Sequence, residues 1–78
     1  MNIAKIKETA NRYADIFAAD EAEFKRVHEA EIAERTLLDD ILIITLANLY
    51  YECKRGKFDR DTTLAEQKKI FDMYGGLE

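Results

Sequence analysis

Along the first seventeen residues, Ile3, Ile6, Ala10, Tyr13 and Phe17 recur at alternating spacings of three and four, the seam of a helix packed against another helix. That seam meets a charge at Asp20. Asp20 with Glu23 three positions on has the form of a helix N-cap followed by a carboxylate, the arrangement that satisfies free amides at a helix start. A first helix over about 2–19 and a break near Ala18 to Asp20 follow. Between Leu37 and Cys53 the pattern changes, because apolar residues occupy every side of the helical wheel. At about 100° per residue, Leu38, Leu42, Leu46, Leu49 and Cys53 form one face and Leu37, Ile41, Ile44 and Tyr51 the opposite one, with Ile43, Ala47 and Tyr50 between. Such a helix must be covered all round.

Two signals compete over where that helix begins. Thr36 with Asp39 is a second candidate start, since Asp39 and Asp40 would face the positive end of the helix dipole. Against it, a single helix from about Glu21 to Arg55 would place Phe24, Val27 and His28 on the same face as Leu38, Leu42 and Leu49. The phase agreement favours one long second helix over about 20–55, bent near Arg35, over a true turn there. Thirty-five residues would span about 52 Å, longer than the first helix can cover. The end is the clearest local signal: Lys54 and Arg55 in the last turn and then Gly56, the residue best suited to the left-handed conformation that closes a helix. A third helix over about 61–74 is capped by Asp61, Thr62 or Thr63, with Thr63 and Glu66 matching a capping box. Leu64, Ile70, Phe71 and Tyr74 give it an apolar side, and Gly75 with Gly76 ends it.

The fold class expected is therefore all-α, with three main helices in a single domain spanning 1–78 that forms an oligomeric bundle. A chain of 78 residues has too little remaining sequence to shield the middle helix, and small cores rarely supply more than about 3–5 kcal/mol unaided. Copies of the chain are expected to complete the cover through Leu37, Leu38, Ile41, Leu42, Ile44, Leu49 and Tyr51, most simply as a two-fold dimer. Cys53 is the only cysteine, so no intrachain disulfide forms and a reducing cytoplasm suits the lone thiol. No basic region precedes an apolar leader, and the apolar run from Ile41 to Ala47 falls far short of the roughly 20 residues that span a bilayer. The expectation is a cytoplasmic protein with no membrane partner.

Charge excludes some partners and nominates others. The net charge of −4 argues against a nucleic-acid binder, whose domains usually carry a basic excess. Nine acidic residues lie between Asp15 and Asp40 against Lys25, Arg26 and Arg35, whereas Lys54, Arg55, Lys57 and Arg60 cluster with only Asp59 among them. That basic cluster, with Tyr50 and Tyr51 beside it, is the candidate patch for an anion or an acidic partner. The same cations also offset a helix C-terminus. The acidic stretch is interrupted at spacings that favour pairing on one helix, as for Glu31 with Arg35.

Candidate chemistry is thin. His28 and Glu31 share a helical face, but a di-iron bundle draws carboxylate and histidine ligands from several helices, and the chain has one histidine. Glu31 and Glu34 followed by Asp39 and Asp40 faintly resemble the acidic pairs of small all-helical nucleotide pyrophosphatases. The second pair lacks an acid three residues before either aspartate, where Thr36 and Leu37 stand. The chain has no serine and no glycine-rich phosphate loop. It reads as non-enzymatic, with no catalytic, metal or cofactor residues and no cofactor.

The segment from Leu46 to Phe58, an aromatic-rich helix ending in Lys54, Arg55, Gly56 and Lys57, followed by Lys68, Lys69, Ile70 and Tyr74, resembles small helical proteins encoded by phages and prophages of Gram-positive bacteria. The resemblance covers roughly the C-terminal 40% of the chain and carries over no functional residue. It implies a mobile-element context, in which small stoichiometric binders, including inhibitors of host defence systems, are common. The expected function is a homo-oligomeric protein-interaction module that binds a host protein. The alternative is a nucleotide or small-molecule binder built on the basic and aromatic patch, and the third reading is a metal-dependent enzyme of the pyrophosphatase kind.

Overall fold

Asn2 opens the first helix by accepting a hydrogen bond from the Lys5 amide at 3.1 Å, and with no proline or glycine to interrupt it α1 runs from Ile3 to Ala19. In the computed structural model, which describes residues 2–74, α1 is followed by α2 (Glu21–Glu31), a single 3-10 turn (Ile32–Glu34), α3 (Leu37–Lys54) and α4 (Arg60–Met73). Asp20 both stops α1 and starts α2. Its backbone is extended and donates to the Ile16 carbonyl, while its side chain accepts from the amides of Ala22 and Glu23, as its position in the sequence predicts.

The all-helical class holds, but the expected long second helix does not form: the chain breaks at Arg35–Thr36 and there are four helices among the described residues, not three. Arg35 is extended at φ −137° and ψ 161°, and the Thr36 hydroxyl caps α3 by accepting from the Asp39 amide at 3.1 Å. Asp39 and Asp40 then sit in the first turn, where the helix dipole favours negative charge. The phase agreement that argued for continuity has another origin. Phe24 and Val27 face the same core as Leu42 and Leu49 because α2 folds back onto it, not because they share a helix. The expected overhang vanishes with the turn, and the described chain measures 30 × 29 × 16 Å.

The core joins Ile6, Ala10 and Tyr13 of α1 to Leu42, Ile43, Leu46, Ala47 and Leu49 of α3 and Phe71 of α4. α3 is thus covered on its inner half by α1 and α4. Its outer half stays open: Leu37 is 75% exposed, Leu38 40% and Ile41 37%.

The ends of α3 and α4 show how local chemistry sets boundaries. Gly56, at φ +80°, donates to the Cys53 carbonyl and Lys57 to that of Glu52, both at 3.0 Å, the paired bonds of a Schellman closure. α4 begins at Arg60, one residue earlier than expected, because Asp59 rather than Asp61, Thr62 or Thr63 is the cap, accepting from the Thr62 amide at 2.7 Å. Thr63 is instead buried inside the first turn, and its hydroxyl donates to the Asp59 carbonyl. Phe71 is fully buried and Leu64 half exposed. The expected stop at Gly75 and Gly76 lies outside the described residues. No described helix is long and apolar enough to cross a membrane.

The turn and the continuous helix make opposite predictions for one substitution. Thr36→Ala removes the α3 cap and is expected to destabilise the protein by about 1 kcal/mol, measured by urea unfolding. Inside a continuous helix the same change would stabilise, because alanine is the better helix former.

Candidate functional site

The break at Arg35 gathers charged side chains that lie far apart in sequence. The Glu31 carboxylate accepts from both terminal nitrogens of Arg12, at 2.7 and 3.1 Å, from the Tyr13 hydroxyl at 2.7 Å and from Arg35 at 3.1 Å. Arg35 also donates to the Tyr13 hydroxyl at 2.6 Å and to Asp40 at 3.4 Å. His28 Nε2 lies 3.0 and 3.2 Å from the two Asp40 oxygens. The network links α1, α2 and α3, and two guanidiniums balance two carboxylates. Among the described residues no buried side-chain nitrogen or oxygen lacks a partner, as buried polar groups require.

Hydrogen bonds from Arg12 dominate the environment of Glu31 and lower its pKa from 4.5 to about 2, against the opposing effect of burial. Burial is the main reason the Tyr13 pKa is raised, reinforced by its bond to Glu31. The network also supports an aromatic cluster. Phe24 stacks on His28, with ring centroids 5.8 Å apart, and meets Tyr13 and Phe17 edge to face at 5.5 and 5.4 Å. Phe17 meets Tyr51 at 5.0 Å.

Between these rings and α3 lies an apolar cavity of about 70 Å³, lined from α1 and α2 by Tyr13, Ala14, Phe17 and Phe24 and from α3 by Ile44, Ala47, Asn48 and Tyr51. Asn48, exposed on α3, stands at its edge. This cavity and the uncharged face of α3 that carries Leu37 and Ile41 form the strongest candidate site. Of the residues expected to self-associate, Leu37, Leu38 and Ile41 are exposed and Ile44 and Tyr51 half-buried, whereas Leu42 and Leu49 belong to the chain's own core.

The expected basic patch is drawn apart and partly neutralised. Lys54 pairs with Asp15 at 2.8 Å, and Arg55 and Lys57 share Glu52 at 3.6 and 3.5 Å. Arg60 is exposed at the start of α4. The two tyrosines diverge: Tyr50 donates to Gln67 on α4, while Tyr51 packs on Phe17 with Arg55 over its ring. The acidic candidates separate as well. Glu31 points to Arg12 and Asp40 to His28, Glu34 is exposed in the 3-10 turn, and among the described residues no three potential ligands converge.

The i, i+4 spacing marks Arg35 as a partner of Glu31, and the pair forms, but nothing in the local sequence marks Arg12 and Tyr13 as partners of the same carboxylate, nor Phe17 and Phe24 as cavity walls. The other usable signal is the Thr36 and Asp39 cap, since a turn there is what brings Asp40 back to His28. Comparison with known protein families, curated proteins and solved structures finds no match to this chain.

A depressed carboxylate pKa contributes stability that is complete above the unfolded value of 4.5 and is lost as pH falls toward about 2. The shift sets a ceiling of about 3 kcal/mol. Because the Glu31 side chain is 30% exposed, solvent screening reduces this to about 1–2 kcal/mol. Glu31→Gln is expected to lower stability by that amount at neutral pH. The gap between variant and wild type, followed by urea unfolding, should close between pH 4.5 and about 2.

Proposed function

We propose that this chain is a non-enzymatic helical interaction module that self-associates through the outer face of α3 and acts by stoichiometric binding of a host protein. The observation that carries the reading is the open half of α3. Leu37, Leu38 and Ile41 lie exposed within two turns, on a helix whose other half is fully engaged in the core. Contiguous exposed apolar surface on a small folded domain marks a place where another macromolecule sits. The mobile-element context implied by the C-terminal resemblance favours a host protein as the final target, with occlusion or sequestration as the mechanism and a host defence system as one such target. Lys54, Arg55 and Lys57, exposed although paired with Asp15 and Glu52, are the groups that would select that target by charge.

Sedimentation equilibrium across the micromolar range is expected to show a reversible oligomer, and a folded monomer at high micromolar concentration would overturn self-association. Exchanging Lys54 and Arg55 for glutamate is expected to abolish host-protein capture without altering oligomer size. Unchanged capture by that variant would remove the basic end from the docking surface.

A further inference from the structure

No residue between Ala14 and Asp40 is buried. The core is made by Ile6, Ala10 and Tyr13 of α1, the stretch of α3 from Leu42 to Leu49, and Phe71 of α4, so α1, α3 and α4 close on one another without a side chain from α2. Only Phe24 and Val27 of α2 pack against that core, and both are half-buried. The fit beneath them is incomplete, since the cavity of about 70 Å³ remains between Phe24 and α3.

α2 is joined to its neighbours through two residues of extended backbone, Asp20 at φ −163° and ψ 110° and Arg35 at φ −137° and ψ 161°. Neither end is continuous with a helix of the core, so α2 leaves the body of the molecule without unwinding α1 or α3. What ties it down is polar and lies toward its C-terminal end. Glu31 accepts from Arg12 and Tyr13 of α1, and His28 meets Asp40 of α3. The Glu31 side chain is 30% exposed and that of His28 23%, and charged links open to solvent contribute little each.

We infer that α2 is a strap that lifts as a unit from the groove between α1 and α3, hinged at Asp20 and Arg35 and latched by Glu31 and His28, while α1, α3 and α4 stay folded. Segments with few buried apolar contacts open far more often than the whole chain unfolds. A free helix of eleven residues is marginal in water, so α2 melts as it lifts and its amides are released together. Lifting also takes Phe24 away from the rings of Tyr13 and Phe17 and uncovers an aromatic groove that continues through Phe17 to Tyr51. The strap thus governs how often that groove is reachable. Leu37 and Ile41 take no part in the motion, so the inference stands apart from the self-association proposed above.

Native-state hydrogen exchange on the full chain, read by NMR, tests the strap. Amides of α2 from Lys25 to Glu31 are expected to be at least about 100-fold less protected than the slowest amides of α3 between Leu42 and Leu49. Phe71 lies in the core shared by α1, α3 and α4, so Phe71→Leu weakens the closed and the lifted forms alike. It should speed the slowest α3 amides about tenfold and leave the α2 amides unchanged. Glu31→Gln loosens the latch and should speed the α2 amides about tenfold. Urea below the unfolding midpoint separates the two processes without a variant, because lifting one helix exposes less surface than unfolding the chain. Exchange of α2 should therefore rise less steeply with urea than exchange of α3. Equal protection of α2 and α3, equal acceleration of both by Phe71→Leu, or equal urea slopes would overturn the strap. Amides of α2 that do not respond to Glu31→Gln would overturn the latch.

Discussion

The placement of α2 against α1 and α3 depends on how Arg35 is accommodated. Its side chain is only 12% exposed, and a guanidinium so far removed from water must be paired and hydrogen-bonded. Glu31 behind it, Asp40 ahead of it and the Tyr13 hydroxyl beside it supply those partners. They converge only if α2 turns back at Arg35 and lays its last turn against α1. The extended backbone at Arg35 and the cap at Thr36 are the local expression of that requirement. Buried ion pairs of this kind add little net stability, since desolvation offsets most of the attraction, but breaking one partner is costly. The network therefore acts mainly on the choice of conformation, holding the turn in place of the long helix that the apolar phase alone would allow.

Turning back shortens the molecule and changes what remains uncovered. A straight helix over 20–55 would leave an overhang with apolar residues on all sides. The observed hairpin brings α2 alongside α1, while α1 and α4 cover the inner half of α3. The deficit implied by 78 residues around an all-apolar helix is thus reduced to one stripe, centred on Leu37 and Ile41. A small domain buries a smaller fraction of its surface than a large one, and here the exposed large apolar residues include Leu37, Leu38 and Ile41 on α3 as well as Ile32, Leu64 and Met73 elsewhere.

Much of this was legible in the residues, and the failures have physical causes. The caps at Asp20 and the closure at Gly56 were readable because each is a short-range device whose hydrogen bonds lie within a few residues. The same holds for Thr36, whose cap was visible but was outweighed by periodicity. Periodicity records which side of a segment meets apolar surface, and it is blind to whether two segments meet that surface as one helix or as a folded pair. Phe24, Val27, Leu42 and Leu49 show the ambiguity. The Arg12 to Glu31 and His28 to Asp40 pairs were not legible, because their partners are separated by 19 and 12 positions and meet only after the turn is made. The basic cluster was visible as composition, but the divergence of Tyr50 toward α4 and Tyr51 toward α1 follows from packing on opposite sides of α3.

One wall of the cavity is tied to the same network. Asp40 holds His28, the Phe24 ring rests on His28, and Phe24 forms the wall that faces α3. The link from Asp40 to His28 ties α2 to α3 and so fixes the position of that wall. Ala14 and Ala47 line the cavity with short side chains, whereas the neighbouring core positions carry the fully buried Leu42 and Leu46. An apolar void forfeits dispersion contacts along its whole lining, so an empty cavity of this kind is a standing cost to the isolated chain. The polar junction at the turn is thus continuous, through His28 and Phe24, with the wall of the cavity on α3.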